Sequence, residues 1–126
     1  MKGVVARPSD YNVKETIDRL VIFLQQQEIT VYARINRQIE VRRFGQNIRP
    51  LEFILFGNPR TSGPVIDRNP LSAMDLPLRI IAWEDEEKKC WVAYKDPAFL
   101  KEIHNLRDDD MVGLDLENVI SKALSF

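Results

Sequence analysis

The sequence predicts an α+β fold, a largely antiparallel β-sheet with helices packed on it. Two observations carry that expectation. The stripe Val13, Ile17, Leu20, Val21 and Leu24 recurs at helical spacing, while the β-rich runs 78–83 and 89–94 flank the polar turn Glu84-Asp85-Glu86-Glu87-Lys88 and so form an antiparallel hairpin. The full order reads β, α, β, short α, β, α, β, β, α, α.

The opening Val4-Val5-Ala6 is short and apolar, and Pro8-Ser9-Asp10 after it predicts a strand ending in a turn. Asn12 with Glu15 three residues on is a capping-box-like start for the helix that runs to Gln25-Gln26-Gln27. Val31, Ala33 and Ile35 alternate with Tyr32, Arg34 and Asn36, the pattern of a strand with one buried face. Residues 38–43 are weakly amphipathic and stop at Gly45, which suits a short helix with a glycine cap. Leu51-Glu52-Phe53-Ile54-Leu55-Phe56 is nearly all apolar between Pro50 and Gly57, and predicts an interior strand covered on both faces. Over 58–74, Pro59, Pro64 and Pro70 forbid one long helix but allow two short ones with Pro64 and Pro70 in their first turns. Asp96-Pro97 caps a helix to about His104, Asp108-Asp109-Asp110 reads as a solvent-facing loop, and a last amphipathic helix runs from Asp115 or Leu116 to Leu124. No repeat or composition shift marks a second unit, so 1–126 is expected to be a single domain.

With 126 residues the chain can bury roughly two thirds of its unfolded surface, and 44% hydrophobic with 29% charged residues argues against disorder. No apolar run approaches the ~20 residues of a membrane helix, and the start Met1-Lys2-Gly3-Val4-Val5-Ala6 is too short for a signal peptide. The expectation is a cytoplasmic protein with no membrane partner. Cys90 is the single cysteine: it cannot form an internal disulfide or a paired-cysteine zinc site, and its alternation with Val92 and Tyr94 places it in a core strand. A net charge of -1 offers no general attraction for nucleic acid, so that partner is not expected. The charge is uneven, however. Residues 30–69 hold seven basic residues against three acidic ones, whereas 84–126 hold six against eleven, a polarity suited to orienting a ligand or a second subunit but equally to two solvated faces.

Four segments recur in a familiar order and spacing: Arg49-Pro50-Leu51-Glu52-Phe53-Ile54-Leu55-Phe56-Gly57-Asn58-Pro59, Asp75-Leu76-Pro77-Leu78, Ala82-Trp83-Glu84-Asp85 and Tyr94-Lys95-Asp96-Pro97. The chain resembles the domain of unknown function 302 family on this motif series, which lies within 12–106; 107–126 stands outside it as a C-terminal helical extension. The resemblance implies a sheet fold similar to TATA-binding-protein-like domains and implies no activity. Family members often carry Asp-His after the second strand, where this chain has Asn36-Arg37, so no metal or acid/base role carries over to those positions.

Familiar chemistries are poorly served. One histidine and one cysteine do not make a zinc site, so no metal or cofactor is expected. There is no Gly-x-Ser-x-Gly turn, no dinucleotide glycine loop and no phosphate-binding Gly-Lys-Ser/Thr loop. The best candidate site is the loop Gly57-Asn58-Pro59-Arg60-Thr61-Ser62-Gly63-Pro64. It leaves an apolar strand and enters a helix whose first N–H groups attract anions, and Arg60 with the Thr61 and Ser62 hydroxyls would complete a cradle. An ordinary strand-to-helix connection, with Asn58, Thr61 or Ser62 serving as caps, explains the same residues. Arg49, Lys95 and His104 are secondary candidates. His104 sits at a helix end, which by itself accounts for the residue. Glu84 and Asp85 fit a hairpin turn better than a carboxylate pair, and Trp83 and Trp91 face each other across the hairpin as a cross-strand pair or as core. The reading is a small binding module, expected to be a homo-oligomer, that holds a small anionic or polar ligand through Gly57, Asn58, Arg60, Thr61 and Ser62. The alternatives are an enzyme of unfamiliar type using His104 with a carboxylate, and an interaction-only homo-oligomer.

Overall fold

A computed structural model describes residues 1–111 and 115–125. Its five strands are β1 (Val4–Ser9), β2 (Thr30–Asn36), β3 (Leu51–Gly57), β4 (Leu78–Glu84) and β5 (Cys90–Lys95), lying in the order β1-β5-β4-β3-β2. Every neighbouring pair is antiparallel, so β2 to β5 form a meander and β1 closes onto β5 from the other end of the sequence. The α+β expectation is met.

One face of this sheet is covered. Helix α1 (Val13–Gln26) turns Val13, Thr16, Ile17, Leu20 and Leu24 inward, and α5 (Leu116–Leu124) adds Leu116, Val119, Ile120, Ala123 and Leu124. Beneath them lie Ile54, Phe56, Leu78, Ile80, Ala82, Cys90, Val92 and Tyr94, one alternate set from each of three strands. Each such Leu or Ile contributes about 1.5–3 kcal/mol by leaving water. The helical extension of the sequence reading is thus part of the core. Its start is capped by the Asp115 side chain, which accepts from the Asn118 amide, as Asn12 accepts from Glu15 at the head of α1.

Three expectations need correction. Pro8 lies inside β1, opposite Trp91, rather than in a turn after it, because β1 is an edge strand where a missing N–H costs the ladder nothing. Helix α3 spans Pro59–Arg68 with Pro64 in its interior, and only Pro70 opens a separate short 3-10 helix (Pro70–Met74). Asn58 and Pro59 start α3 earlier than the proline spacing suggested; Pro64 then removes a single helical bond, the one its N–H would have given to the Arg60 carbonyl. Strand β3 is interior to the sheet but has a helix on one face only. Its odd-numbered Leu51 and Leu55 are half-buried, and Phe53 is shielded by the Arg79 guanidinium 4.5 Å from its ring centroid. Neighbouring side chains, not a second layer, account for that apolar run.

Helix α2 (Arg37–Arg42) follows β2 with the Asn36 side chain accepting from the Ile39 amide, and Gly45 beyond it adopts φ +75. Helix α4 (Pro97–His104) begins at Asp96, whose carboxylate accepts from the Ala98 amide, and ends at Asn105 in the left-handed region.

Candidate functional site

The uncovered face of the sheet is ordered by strand register into three rows. Val4 pairs with Lys95 and Leu55 with Arg79 and Ala33; one step beyond the Ile80–Tyr94 pair, Arg79 and Lys95 stand side by side. The second row is Ala6, Ala93, Ile81, Phe53 and Ile35, and the third is Pro8, Trp91, Trp83 and Leu51. Cations occupy one end, small and aliphatic side chains the middle, and two half-buried tryptophans the other end. The Trp91 indole N–H donates to Asp85 at 2.8 Å, and Asp85 also accepts from the Glu87 and Lys89 amides, so the hairpin turn reading of this carboxylate is the right one.

A cavity of about 310 Å³ opens at the cationic end. Val4, Leu55, Ile81 and Ala93 wall it from the open face, Leu78, Tyr94, Leu100 and Leu116 wall it where it reaches round the strand ends, and Arg79, Lys95, Asp75 and Met74 lie around them. Asp75 arrives from the residue after the Pro70–Met74 helix. Its carboxylate accepts from Lys95 Nζ and lies 2.6 Å from His104 Nε2. Asp75 and His104 side chains are only 10% and 11% exposed, so this is an interior contact, with Lys95 reaching it from the surface. The supports continue inward: the His104 carbonyl accepts from Asn69 Nδ2 at 2.6 Å, and the Asn69 carbonyl from the Ser72 hydroxyl at 2.7 Å. Burial is the largest influence on the Asp75 carboxyl and pushes it up, but the hydrogen bonds and charges of Lys95 and His104 together outweigh it and hold the group below its ordinary range. Arg79 differs. It stacks on Phe53 and makes no ion pair among the described residues, so a guanidinium without a carboxylate stands beside Lys95 at the mouth.

The loop singled out in the sequence is a helix cap. Asn58 Oδ1 accepts from the Arg60 amide at 3.0 Å, and the Thr61 and Ser62 hydroxyls both donate to the Asn58 carbonyl, at 3.1 and 3.0 Å. Gly57, Asn58, Thr61 and Ser62 wall a second cavity of about 160 Å³ whose other lining is chiefly apolar, from Ile29, Phe56, Leu76 and Leu106 among others. Arg60 is exposed and does not line it.

Residues 5–124 match the family model described as "Domain of unknown function DUF302". The chain belongs to this family. A crystal structure of an uncharacterized conserved protein DUF302 from Bacillus stearothermophilus has the same fold, with a TM-score of 0.78 at 18% identity over 98% of this chain and 97% of that one. Among curated relatives, the fluoride-specific ion channel FluC 1 of Brucella suis biovar 1 (strain 1330) and FluC 2 of Brucella melitensis biotype 1 (strain ATCC 23456 / CCUG 17765 / NCTC 10094 / 16M) are each 33% identical over 104 residues, 82% of this chain. The DUF302 chain spans 41% and 38% of their respective lengths. No helix among its described residues is long and apolar enough to cross a membrane. The matched span takes in α5, beyond the 12–106 over which the motif series was read.

Within the DUF302 fold, then, two of the secondary candidates converge: Lys95 and His104 meet on one carboxylate. Arg49 does not join them. It precedes β3 at its Leu51 end, about 13 Å along the strand from Leu55 and the cavity. The positive segment 30–69 is partly neutralised, since Arg34 binds Asp18 (2.6 Å) and buried Glu52 (2.9 Å), Arg37 binds Glu40, and Arg68 binds Asp110. Cys90 is a core thiol beside Thr16, pushed up by burial. Sequence reasoning missed Asp75 and Arg79. Asp75 stood in a quoted motif, and Arg79 shares the alternation Arg79, Ile81, Trp83 that marks one face of β4.

Proposed function

We propose that this DUF302 domain is a binding module for a small anionic ligand, seated in the open-face cavity between Arg79 and Lys95. The observation that carries this is Arg79, a cation beside Phe53 with no carboxylate partner among the described residues, next to a lysine at the mouth of a largely apolar cavity. Asp75 offsets one of the two positive charges of Arg79 and Lys95, and the balance of these three groups favours a single negative charge. The relatives' names support the same sign of ligand, since a fluoride-specific channel handles a monovalent anion. The Gly57–Ser62 loop with Arg60 is the other seat for an anion, and a thermal-shift series separates the two. With fluoride, acetate and phosphate added in turn, a ligand at a hundredfold its Kd adds about 2.7 kcal/mol of stability. The proposal expects a shift that survives Arg60→Ala and disappears in Arg79→Gln; the opposite pattern would return the role to the loop.

One observation favours a second reading. The 2.6 Å contact between His104 and Asp75 is the geometry by which a carboxylate orients an imidazole for proton transfer. His104 also borders a polar cavity of about 280 Å³ with Arg68, Asn69 and Arg107. Turnover of any anion that is lost in His104→Gln without a change in its binding would favour this reading.

We also place the domain in the cytoplasm and as a homo-oligomer. The Trp83–Trp91 end of the open face is the surface a second copy would cover. Sedimentation showing a native dimer that dissociates in Trp91→Lys supports self-association there, and a monomer at all concentrations opposes it.

A further inference from the structure

The open-face cavity carries more than a preference for charge sign, and we infer that its ligand is a monocarboxylate with a compact apolar or aromatic body. This deepens the reading of the cavity as the anion seat and rests on it. Arg79 lies with its guanidinium carbon over the Phe53 ring, 4.5 Å from the centroid, and its N–H groups are committed to no carboxylate among the described residues. The planar fork of a guanidinium matches the two oxygens of a carboxylate, which it takes as a bidentate pair; a spherical halide uses only part of that geometry. Lys95 stands beside it, already donating to Asp75, and can donate to a second anionic oxygen without leaving that bond because an ammonium has three donors.

The number of charges follows from the same residues. Two cations and the Asp75 carboxylate leave one net positive charge, so a dianion such as a phosphate monoester would set its second charge against Asp75. Apart from Tyr94, the rest of the wall is apolar. Next to the charged row lie Ile81, Ala93 and Leu55, which offer no hydrogen bond from their side chains and which an inorganic anion would leave in contact with water. Met74 is 81% exposed at the rim, a flexible thioether side chain with nothing covering it. Such a side chain folds over an apolar body and gains nothing from a hydrated ion. About 310 Å³ lies at the lower end of the volumes that hold small organic ligands, which limits the body to one ring or a short chain.

Calorimetric titration of the full chain at fixed ionic strength with benzoate, acetate and phosphate tests this. Benzoate is expected to bind on the order of tenfold more tightly than acetate, the increment of a small buried apolar body, and phosphate more weakly than either. Arg79→Gln should weaken benzoate at least tenfold, and Met74→Glu, which places a carboxylate at an already exposed position, should weaken benzoate more than acetate. Melting curves on both variants establish that they remain folded. Acetate or phosphate binding as tightly as benzoate, with all binding lost in Arg79→Gln, would overturn the ligand class while leaving the anion seat intact. Absence of binding by all three, or binding indifferent to Arg79→Gln, would overturn both.

Discussion

The two faces of this one sheet are made by the same strands, often by adjacent residues, and they follow different rules. Ile80 points under α1 and α5 and is fully buried; Ile81, next in the chain, points to the open face and is half-buried beside Arg79 and Ala93. The covered face is apolar at its centre, with polar groups such as the Arg34–Glu52 pair toward its margin, and is filled by helices from both ends of the chain. The open face is graded from cations to tryptophans and carries no helical layer among the described residues. One face holds the fold together, and the other is left free to meet something else.

The largest expected effect checks that division. Ile80→Ala should cost about 2–5 kcal/mol, the range for emptying a closed core site, while Ile81→Ala should cost about 1 kcal/mol or less. Urea unfolding of the two variants reads the difference, and equal losses would mean that the open face is as structural as the covered one. Next comes Asp75→Asn, which takes the charged acceptor from Lys95 and His104 together and should cost about 1–3 kcal/mol near neutral pH. The pH dependence has a defined sign. Because the folded carboxyl is held below its ordinary value of 3.8, its contribution is complete above that value and is lost as pH falls through the lower folded value. The gap between the native protein and the variant should therefore begin to close below about pH 3.8 and go on closing as pH falls through the lower folded value; a gap that does not narrow at all below pH 3.8 would show that Asp75 acts through shape alone. Trp91→Ala, which removes half of a directly registered cross-strand pair and the bond to Asp85, should cost about 1 kcal/mol. Smallest of all, Arg79→Gln should change stability by no more than about 0.5 kcal/mol, a side chain whose value lies in binding.

The covered face was legible in the sequence because it speaks in periodicities. The Val13-to-Leu24 stripe, the alternation of Cys90, Val92 and Tyr94, and the caps at Asn12, Asp96 and Asp115 each follow from local spacing, and each is found where it was expected. Proline positions were read too simply, since Pro8 depends on which strand is at the edge and Pro64 on where a helix has already begun. The open face was harder to read. Its central site joins Asp75, Arg79, Lys95 and His104, residues from β4, β5 and the ends of two helices, and only the sheet register sets Arg79 beside Lys95. Lys95 and His104 could be singled out separately, but their common partner could not, because nothing local ties residue 75 to residue 104. The Gly57–Ser62 loop shows the converse: its composition suits an anion cradle and a helix cap alike, and the cap is visible in the Thr61 and Ser62 hydroxyls that donate to the Asn58 carbonyl.

The claim that the open face is the working face can be tested directly by amide chemical-shift mapping of the labelled chain during titration with benzoate. The account predicts that the shifts concentrate on Arg79, Ile81, Ala93 and Lys95, with Asn58, Thr61 and Ser62 unmoved. Shifts centred on the 57–62 loop, or none on the open face at saturation, would contradict it.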